Sequence, residues 1–229
     1  MDWREPVRDY CERLDGGFWA EPLNATTNAA FLIAAAAALG LLLRRRQSDP
    51  AAAALIAVTA SVGVGSFLFH TLATRGAMLL DVIPIAIFIY GYFLLALRRF
   101  FGLGVVDGVL ATLLFGLASF LLDSHVRGLN GSVAYLPALA AIAGFATLLW
   151  RRRPEAAHGL AAAGAVFSIS LVFRTMDRAV CPVFSPGAHF LWHVLNACVL
   201  WLLLRTAIMA HGAPDQATPS QKAREPTAA

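Results

Sequence analysis

Seven long apolar stretches, separated by short charged runs, constrain this chain more than any other feature of its sequence. Each has roughly 15 to 22 residues, and about 20 apolar residues in a helix are needed to cross the hydrocarbon core of a bilayer. The stretches cover residues 25–43, 51–72, 78–97, 105–122, 133–150, 159–173 and 187–209. The sequence therefore predicts an all-α integral membrane protein built as a bundle of seven transmembrane helices.

The composition excludes an ordinary water-soluble globule. Of the 229 residues, 59% are hydrophobic and only 14% are charged, and the mean hydropathy is +0.66. Soluble domains carry about 25% charged residues. The apolar stretches show no alternation of polar and apolar residues, so the sequence predicts helices and not the strands of a membrane barrel.

The arginines between the stretches predict the orientation of the bundle. They cluster after the first, third, fifth and seventh stretches, at Arg44, Arg45, Arg46, Arg98, Arg99, Arg151, Arg152, Arg153 and Arg205. Because cytoplasmic loops carry an excess of Lys and Arg, the N-terminus is predicted to lie outside and the C-terminus in the cytoplasm. The net charge of +4 thus reflects membrane topology and does not indicate a nucleic-acid partner.

Three parts follow from this layout. Residues 1–22 form an extracytoplasmic segment, residues 23–210 form the seven-helix domain, and residues 211–229 form a polar tail that we predict to be disordered in the cytoplasm. The abundance of alanine and arginine is typical of bacterial sequences. We therefore expect a multi-pass protein of a bacterial inner membrane, with an oligomeric state that the sequence leaves open.

Polar side chains gather at one depth near the predicted outer ends of the helices. Ser66 and His70 precede the end of the second stretch, and Asp81 lies in the predicted first turn of the third. His189 and His193 begin the seventh stretch. At a rise of about 1.5 Å per residue, all of them lie within one or two turns of the outer surface. Ionisable groups inside a membrane are costly and tend to be functional.

The spacing of these residues is typical of a catalytic metal site. His189 and His193 are four residues apart and share one helix face, as do Ser66 and His70. Three imidazoles with one open position form the ligand set of a catalytic zinc ion, which activates water and polarises a carbonyl group. In that site Asp81 is predicted to act as the base, and Ser66 to donate a hydrogen bond to the oxyanion.

Two simpler readings compete with the zinc site. Membrane histidines often serve only as hydrogen-bond partners between helices. Paired histidines can also bind haem, although two histidines one turn apart on one helix cannot occupy its opposite axial positions. A third histidine and an acid at matching depth favour zinc over both.

These residues resemble the alkaline ceramidases, which belong to a wider group of seven-helix hydrolases that includes adiponectin-receptor-like proteins. The resemblance lies in S-x-x-x-H, an acid eleven residues after that histidine, and "HFLWH" on the last helix. It implies that His70, His189 and His193 bind zinc and that Ser66 and Asp81 take the serine and aspartate positions of the family site. The implied reaction is hydrolysis of the ceramide amide to a sphingoid base and a fatty acid.

The same resemblance implies a calcium site before the first helix. "DYCE" at residues 9–12 is similar to the family motif Asp-Trp-Cys-Glu, and a glutamate just before the first helix completes it. The implied ligands are Asp9, Tyr10, Glu12, Asp15 and Glu21. Here Leu14 stands in register with a family asparagine, so Asp15 is offered as its substitute. The alternative is that these acids only cap the first helix.

Two of the three cysteines fall on the predicted outer side. Cys11 lies in the N-terminal segment and Cys181 in the connection before the last helix. Disulfides persist outside the cytoplasm. The sequence therefore predicts a Cys11–Cys181 disulfide that ties the N-terminal segment to the loop before the seventh stretch.

The sequence leaves three functions open. The favoured one is a zinc-dependent lipid amidase that acts within the membrane on a ceramide-like lipid. The alternatives are a non-enzymatic lipid receptor or channel with structural zinc, and a related hydrolase of an ester or another acyl amide. A catalytic site needs an open metal position beside Asp81, whereas a structural site would be closed by a fourth protein ligand.

Overall fold

A computed structural model describes residues 2–46, 48–126 and 128–212 of this chain. In this part of the chain the fold is entirely helical, without a β-strand beyond one isolated bridge. Of the predicted tail, residues 213–229 lie outside the described residues. His211 and Gly212 form a turn after the last helix.

The helices follow the seven predicted stretches. They are α1 (Pro22–Thr27), α2 (Ala29–Arg45), α3 (Pro50–Leu72), α4 (Arg75–Phe101), α5 (Val105–His125), a 3₁₀ segment (Leu129–Tyr135), α6 (Leu136–Leu149), α7 (Pro154–Val180) and α8 (His189–Ala210). With α1 joined to α2 and the 3₁₀ segment joined to α6, seven helical spans in the described residues are long and apolar enough to cross a membrane. The predicted seven-helix architecture is confirmed.

Several helices extend beyond the predicted apolar stretches. The sixth stretch was expected at residues 159–173, but α7 runs from Pro154 to Val180. The helix α4 begins at Arg75, where the Thr74 side chain accepts a hydrogen bond from the Ala77 amide. Asp81 is therefore the seventh residue of α4, and the predicted first-turn position is wrong. Hydropathy detects only the apolar part of a helix, whereas capping side chains set its ends.

The last helix forms the centre of the bundle. Helix α8 packs against α7, α2, α3 and α4, and its Leu204 and Ile208 are almost fully buried. Helix α5 lies at the periphery and exposes apolar side chains such as Leu113 and Phe120. Exposed apolar side chains are expected on a helix that faces lipid, because the lipid tails are as apolar as these side chains.

The N-terminal segment lies across the connection between α3 and α4. The Val7 amide donates to the Ala73 carbonyl at 2.8 Å, and the Arg75 amide donates to the Glu5 carbonyl at 3.0 Å. Cys11 and Cys181 form a disulfide with their Cα atoms 5.5 Å apart. These contacts fix the N-terminal segment to the connection between α3 and α4 and to the end of α7.

Arginines meet at the opposite end of the bundle. Arg99 forms a bidentate ion pair with Asp49 at 2.8 Å and also donates to the Ala207 carbonyl at 2.8 Å. Arg45 donates to the Met209 carbonyl at 3.0 Å. Burial alone would raise the pKa of Asp49, but the hydrogen bonds from Arg99 hold that pKa below its usual value. These contacts join the ends of α2, α4 and α8 to the start of α3.

Candidate metal centre

Three histidines converge where α3 ends and α8 begins. His70, His189 and His193 each offer a ring nitrogen, and these three nitrogens lie within 4.8 Å of one another. The ring centroids of His70 and His189 are 4.7 Å from that of His193, and all three side chains are buried. Across the described residues, this is the one group of three or more His, Cys, Asp or Glu side chains that could hold a metal ion.

Two of these imidazoles carry nitrogens that need a partner. His70 Nε2 and His189 Nδ1 are buried and accept or donate no hydrogen bond within the described part of the chain. Buried polar atoms are normally paired, because an unpaired one costs about 1–3 kcal/mol. A metal ion bound between the rings would satisfy both nitrogens. The donor set therefore fits a metal, and imidazole nitrogen suits zinc.

The second nitrogen of two rings is held by a neighbouring side chain. His70 Nδ1 lies 2.5 Å from Glu21 Oε2, and His193 Nδ1 lies 3.1 Å from Thr27 Oγ1. Such contacts fix the orientation of a ligating ring and its tautomer. They leave Nε2 of both rings as the nitrogen that faces a metal.

The charged form of Glu21 is stabilised by its neighbours although the side chain is buried. Burial would raise its pKa, but hydrogen bonds from His70, Asn24 and Arg13 outweigh burial and lower the pKa. Its Oε2 accepts from Asn24 Nδ2 at 3.0 Å, and its Oε1 accepts from Arg13 Nε at 2.5 Å. An ionised carboxylate therefore lies against His70, on the side of the ring opposite to Nε2.

Asp177 fixes the start of α8. This aspartate is fully buried, and its Oδ1 accepts the amides of Ala188 and His189 at 2.7 and 2.9 Å. Its Oδ2 accepts the Cys11 amide at 3.2 Å. A carboxylate from α7 thus caps the helix that carries two of the histidines, where the helix dipole favours negative charge.

Gly187 makes this cap possible. Its φ is +70°, which is strained for residues with a side chain. A Cβ atom there would lie 2.6 Å from Cys11 Cβ and would also overlap Asp177 Oδ1. The residue two positions before α8 must therefore be glycine if Asp177 is to reach the helix terminus.

Ser66 and Asp81 are neighbours beneath the histidines. Both side chains are buried, the Ser66 hydroxyl interacts with the Asp81 carboxyl group, and Asp81 lies within electrostatic range of His70. Asp81 Oδ1 finds no hydrogen-bond partner in the described residues. One carboxylate oxygen is therefore left available beside the histidines.

A glycine contact brings these two residues together. Gly65 lies directly against the Leu80 backbone, so a Cβ at Gly65 would overlap the Leu80 carbonyl and lie 3.2 Å from the Asp81 nitrogen. The absence of a side chain lets α3 and α4 approach at this point. Ser66 directly follows Gly65 on α3, and Asp81 directly follows Leu80 on α4. The close contact of the two helices therefore brings these two side chains together.

We expect Gly65→Ala to separate α3 from α4 and to lower the free energy of unfolding by about 1–3 kcal/mol, the usual cost of overpacking. Thermal unfolding in detergent would measure this loss. Gly40→Ala is the matched control, because no atom lies within 4 Å of a Cβ at Gly40. Equal stability of the two variants would contradict the close approach of the helices.

Tyr10 covers the histidines from the N-terminal segment. Its ring centroid is 3.9 Å from that of His189 and 4.9 Å from that of His70. Burial raises the pKa of its hydroxyl well above the usual value, so Tyr10 stays neutral. The side chain of this predicted calcium ligand thus forms a wall of the histidine site.

The other predicted calcium ligands are not gathered around one point. Glu12 accepts the Leu23 and Asn24 amides at 2.7 and 2.8 Å, which caps α1. Asp15 accepts the Gly17 amide at 2.7 Å, and Asp9 is exposed. Since Glu21 is bound to Arg13 and His70, nothing in the described residues supports calcium, and that site stays a prediction.

Four site residues were not identified from the sequence. They are Arg13, Thr27, Asp177 and Gly187. Each acts through another part of the chain, as Asp177 does on His189 and Thr27 on His193. An aspartate inside an apolar helix was the one available signal, because a buried charge must find partners. The sequence did not show which partners it would find.

An apolar cavity begins one helical turn further into the bundle. Its lining includes Ile85, four residues after Asp81, and Asn196, three residues after His193. Aromatic rings form much of its remaining wall, among them Phe88, Phe115, Tyr135, Phe145 and Phe167. The lining is almost entirely apolar and includes none of the three histidines.

A family model described as Ceramidase matches residues 7–223, which is nearly the whole chain. A search of curated proteins finds no match.

Proposed function

Because this chain belongs to the ceramidase family, we propose that it is an intramembrane, zinc-dependent amidase. It hydrolyses the amide bond of ceramide-like sphingolipids to a sphingoid base and a fatty acid. The observation that carries this proposal is the convergence of three buried imidazoles beside an unpaired carboxylate oxygen of Asp81. Family membership supports ceramide as the substrate class.

We assign the metal to His70, His189 and His193. Zinc in such a site would polarise the amide carbonyl and make a water molecule more acidic. No fourth His, Cys, Asp or Glu joins these three within the described residues, which supports an open coordination position. Glu21 and Thr27 hold two of the rings in place.

Asp81 and Ser66 carry out the proton transfer and the hydrogen bonding. Asp81 takes a proton from water while the water oxygen bonds to the carbonyl carbon. The Ser66 hydroxyl donates a hydrogen bond to the carbonyl oxygen as negative charge develops there. Asp81 then gives the proton to the amide nitrogen as the C–N bond breaks, so that a free amine and a carboxylic acid leave.

The apolar cavity supports a lipid substrate. Ile85 and Asn196, which line it, follow Asp81 and His193 by about one helical turn. A ceramide carries its amide at the junction between its polar head and its hydrocarbon chains. One chain in the cavity would therefore place the amide beside the histidines.

We place this site near the outer leaflet. The arginines that meet around Arg99 lie at the opposite end of the helices from His70, and the excess of Arg in cytoplasmic loops supports an external N-terminus and a cytoplasmic C-terminus. The proposed location is a bacterial inner membrane. Protease or thiol-reagent accessibility of engineered loop cysteines in intact cells would test the orientation.

Purified protein in detergent, incubated with a fluorescent ceramide, tests the function. We expect release of the labelled fatty acid, loss of activity after a strong metal chelator, and recovery on addition of zinc. An ester analogue and an N-acyl amide without a sphingoid base are run in parallel.

The outcomes separate the three candidate functions. Turnover of the ester or simple amide without turnover of ceramide would identify a different acyl hydrolase. Zinc-loaded protein that binds ceramide and hydrolyses none of the substrates would identify a lipid receptor. Either result would overturn the ceramide amidase proposed here.

A further inference from the structure

We propose that Arg13 is a built-in cation that takes the place of a dissociable calcium ion, and that it positions His70 through Glu21. This inference rests on the proposed function and deepens it, because it adds a residue that positions one of the proposed zinc ligands. The family resemblance implies calcium between the N-terminal acids, with Glu21 as a ligand. The structure places the guanidinium group of Arg13 against Glu21 instead.

Arg13 fills a cage of oxygen atoms. Its Nε donates to Glu21 Oε1 at 2.5 Å, and the Arg13 and Glu21 side chains are only 2% and 3% exposed. Its terminal nitrogens donate to the backbone carbonyls of four residues, which are Asp15 at 3.4 Å, Gly17 at 3.2 Å, His70 at 2.8 Å and Thr71 at 3.5 Å. Carboxylate and carbonyl oxygens are also the kinds of ligand that calcium takes.

The occupied cage does not fit an additional calcium ion. Glu21 Oε1 accepts from Arg13, and Oε2 accepts from Asn24 and contacts His70. A second cation beside Arg13 would meet like-charge repulsion in a buried setting, which is costly. Leu14, at the position of a family asparagine, supplies no side-chain oxygen.

Arg13 contacts His70 by two routes. It donates directly to the His70 carbonyl, and through Glu21 it reaches the Nδ1 of the same residue. The carbonyl contact fixes the backbone at the end of α3, and the Glu21 contact fixes the ring. Because Arg13 is covalently part of the chain, this support stays in place, whereas a bound calcium ion would dissociate.

The experiment measures zinc affinity, so it does not depend on ceramide turnover. Wild-type protein, Arg13→Ala and Arg13→Lys are stripped of metal and titrated with zinc against a chromophoric competitor. The buffers are depleted of calcium by resin and then used with or without millimolar calcium. Arg8→Ala is the matched control, because Arg8 is an exposed arginine of the same segment.

For wild-type protein we expect the same zinc affinity with and without calcium, and no heat of calcium binding in calorimetry. Arg13→Ala should bind zinc about 10- to 100-fold more weakly, the usual effect of losing support for a ligating histidine. Adding guanidinium or calcium ions to Arg13→Ala should restore part of its zinc affinity, because either cation can bind the oxygen atoms that Arg13 leaves free. Arg13→Lys should lose less affinity, and Arg8→Ala should match the wild type.

Two results would overturn the proposal. One is a rise in the zinc affinity of the wild-type protein when calcium is added. This result can be obtained even if Arg13→Ala fails to fold, because it needs no variant. The other is a folded Arg13→Ala protein with wild-type zinc affinity. Normal zinc binding without ceramide turnover would refute only the proposed function.

Discussion

Replacing His193 with alanine is expected to remove both bound zinc and ceramide hydrolysis. The imidazole of His193 comes within 4.8 Å of the nitrogens of His70 and His189, so its loss leaves two ligands for the metal. Two imidazoles hold zinc much more weakly than three. Because the metal supplies several kcal/mol of charge stabilisation, we expect turnover to fall by about 10³-fold or more.

Metal content measured by mass spectrometry and fatty-acid release from a fluorescent ceramide check this result together. His125→Ala is the control, because His125 is an exposed histidine at the end of α5. It should keep full metal content and activity. If His193→Ala retains both zinc and turnover, the three-histidine site is not the reaction centre.

Replacing Asp81 with asparagine is expected to reduce turnover by about 10²- to 10⁴-fold, the usual contribution of a general base, while zinc stays bound. Asparagine has nearly the same size and can keep the contact with Ser66. It cannot accept the proton of a water molecule. Since Asp81 is not among the three grouped nitrogen donors, the metal should remain at one equivalent per chain.

The turnover number at saturating ceramide and the zinc content distinguish the possible roles of Asp81. Asp123→Asn is the control, because Asp123 is exposed near the end of α5. Full activity of Asp81→Asn would exclude the carboxylate as the base. Loss of zinc together with activity would show instead that Asp81 helps to hold the metal.

The helices and the histidine pairing were predictable because they depend on local rules. Long apolar stretches must form helices in lipid, where the backbone has no water to bond. Once the helices are known, the spacing of His189 and His193 places both on one face of α8. Because α3 and α8 run in opposite directions, the last turns of α3 and the first turns of α8 lie at the same end of the bundle. His70 therefore lies near His189 and His193.

The contacts that support the histidines were not predictable in the same way. Glu21 meets His70 across 49 positions in the chain, and Cys11 meets Asp177 across 166. Such pairs depend on how the N-terminal segment crosses the helix ends. Local periodicity carries no information about that path.

The sequence by itself determined the number of spans, their apolar character and the end of the bundle at which the three histidines lie, because hydrophobicity and helical repeat act over a few neighbouring residues. Only the tertiary structure decided that Arg13 forms the buried ion pair with Glu21, and that Asp177 caps α8. Both contacts pair a buried carboxylate with groups from another part of the chain. Such pairs form only when the segments pack together and exclude water, because a buried charge is costly without a partner.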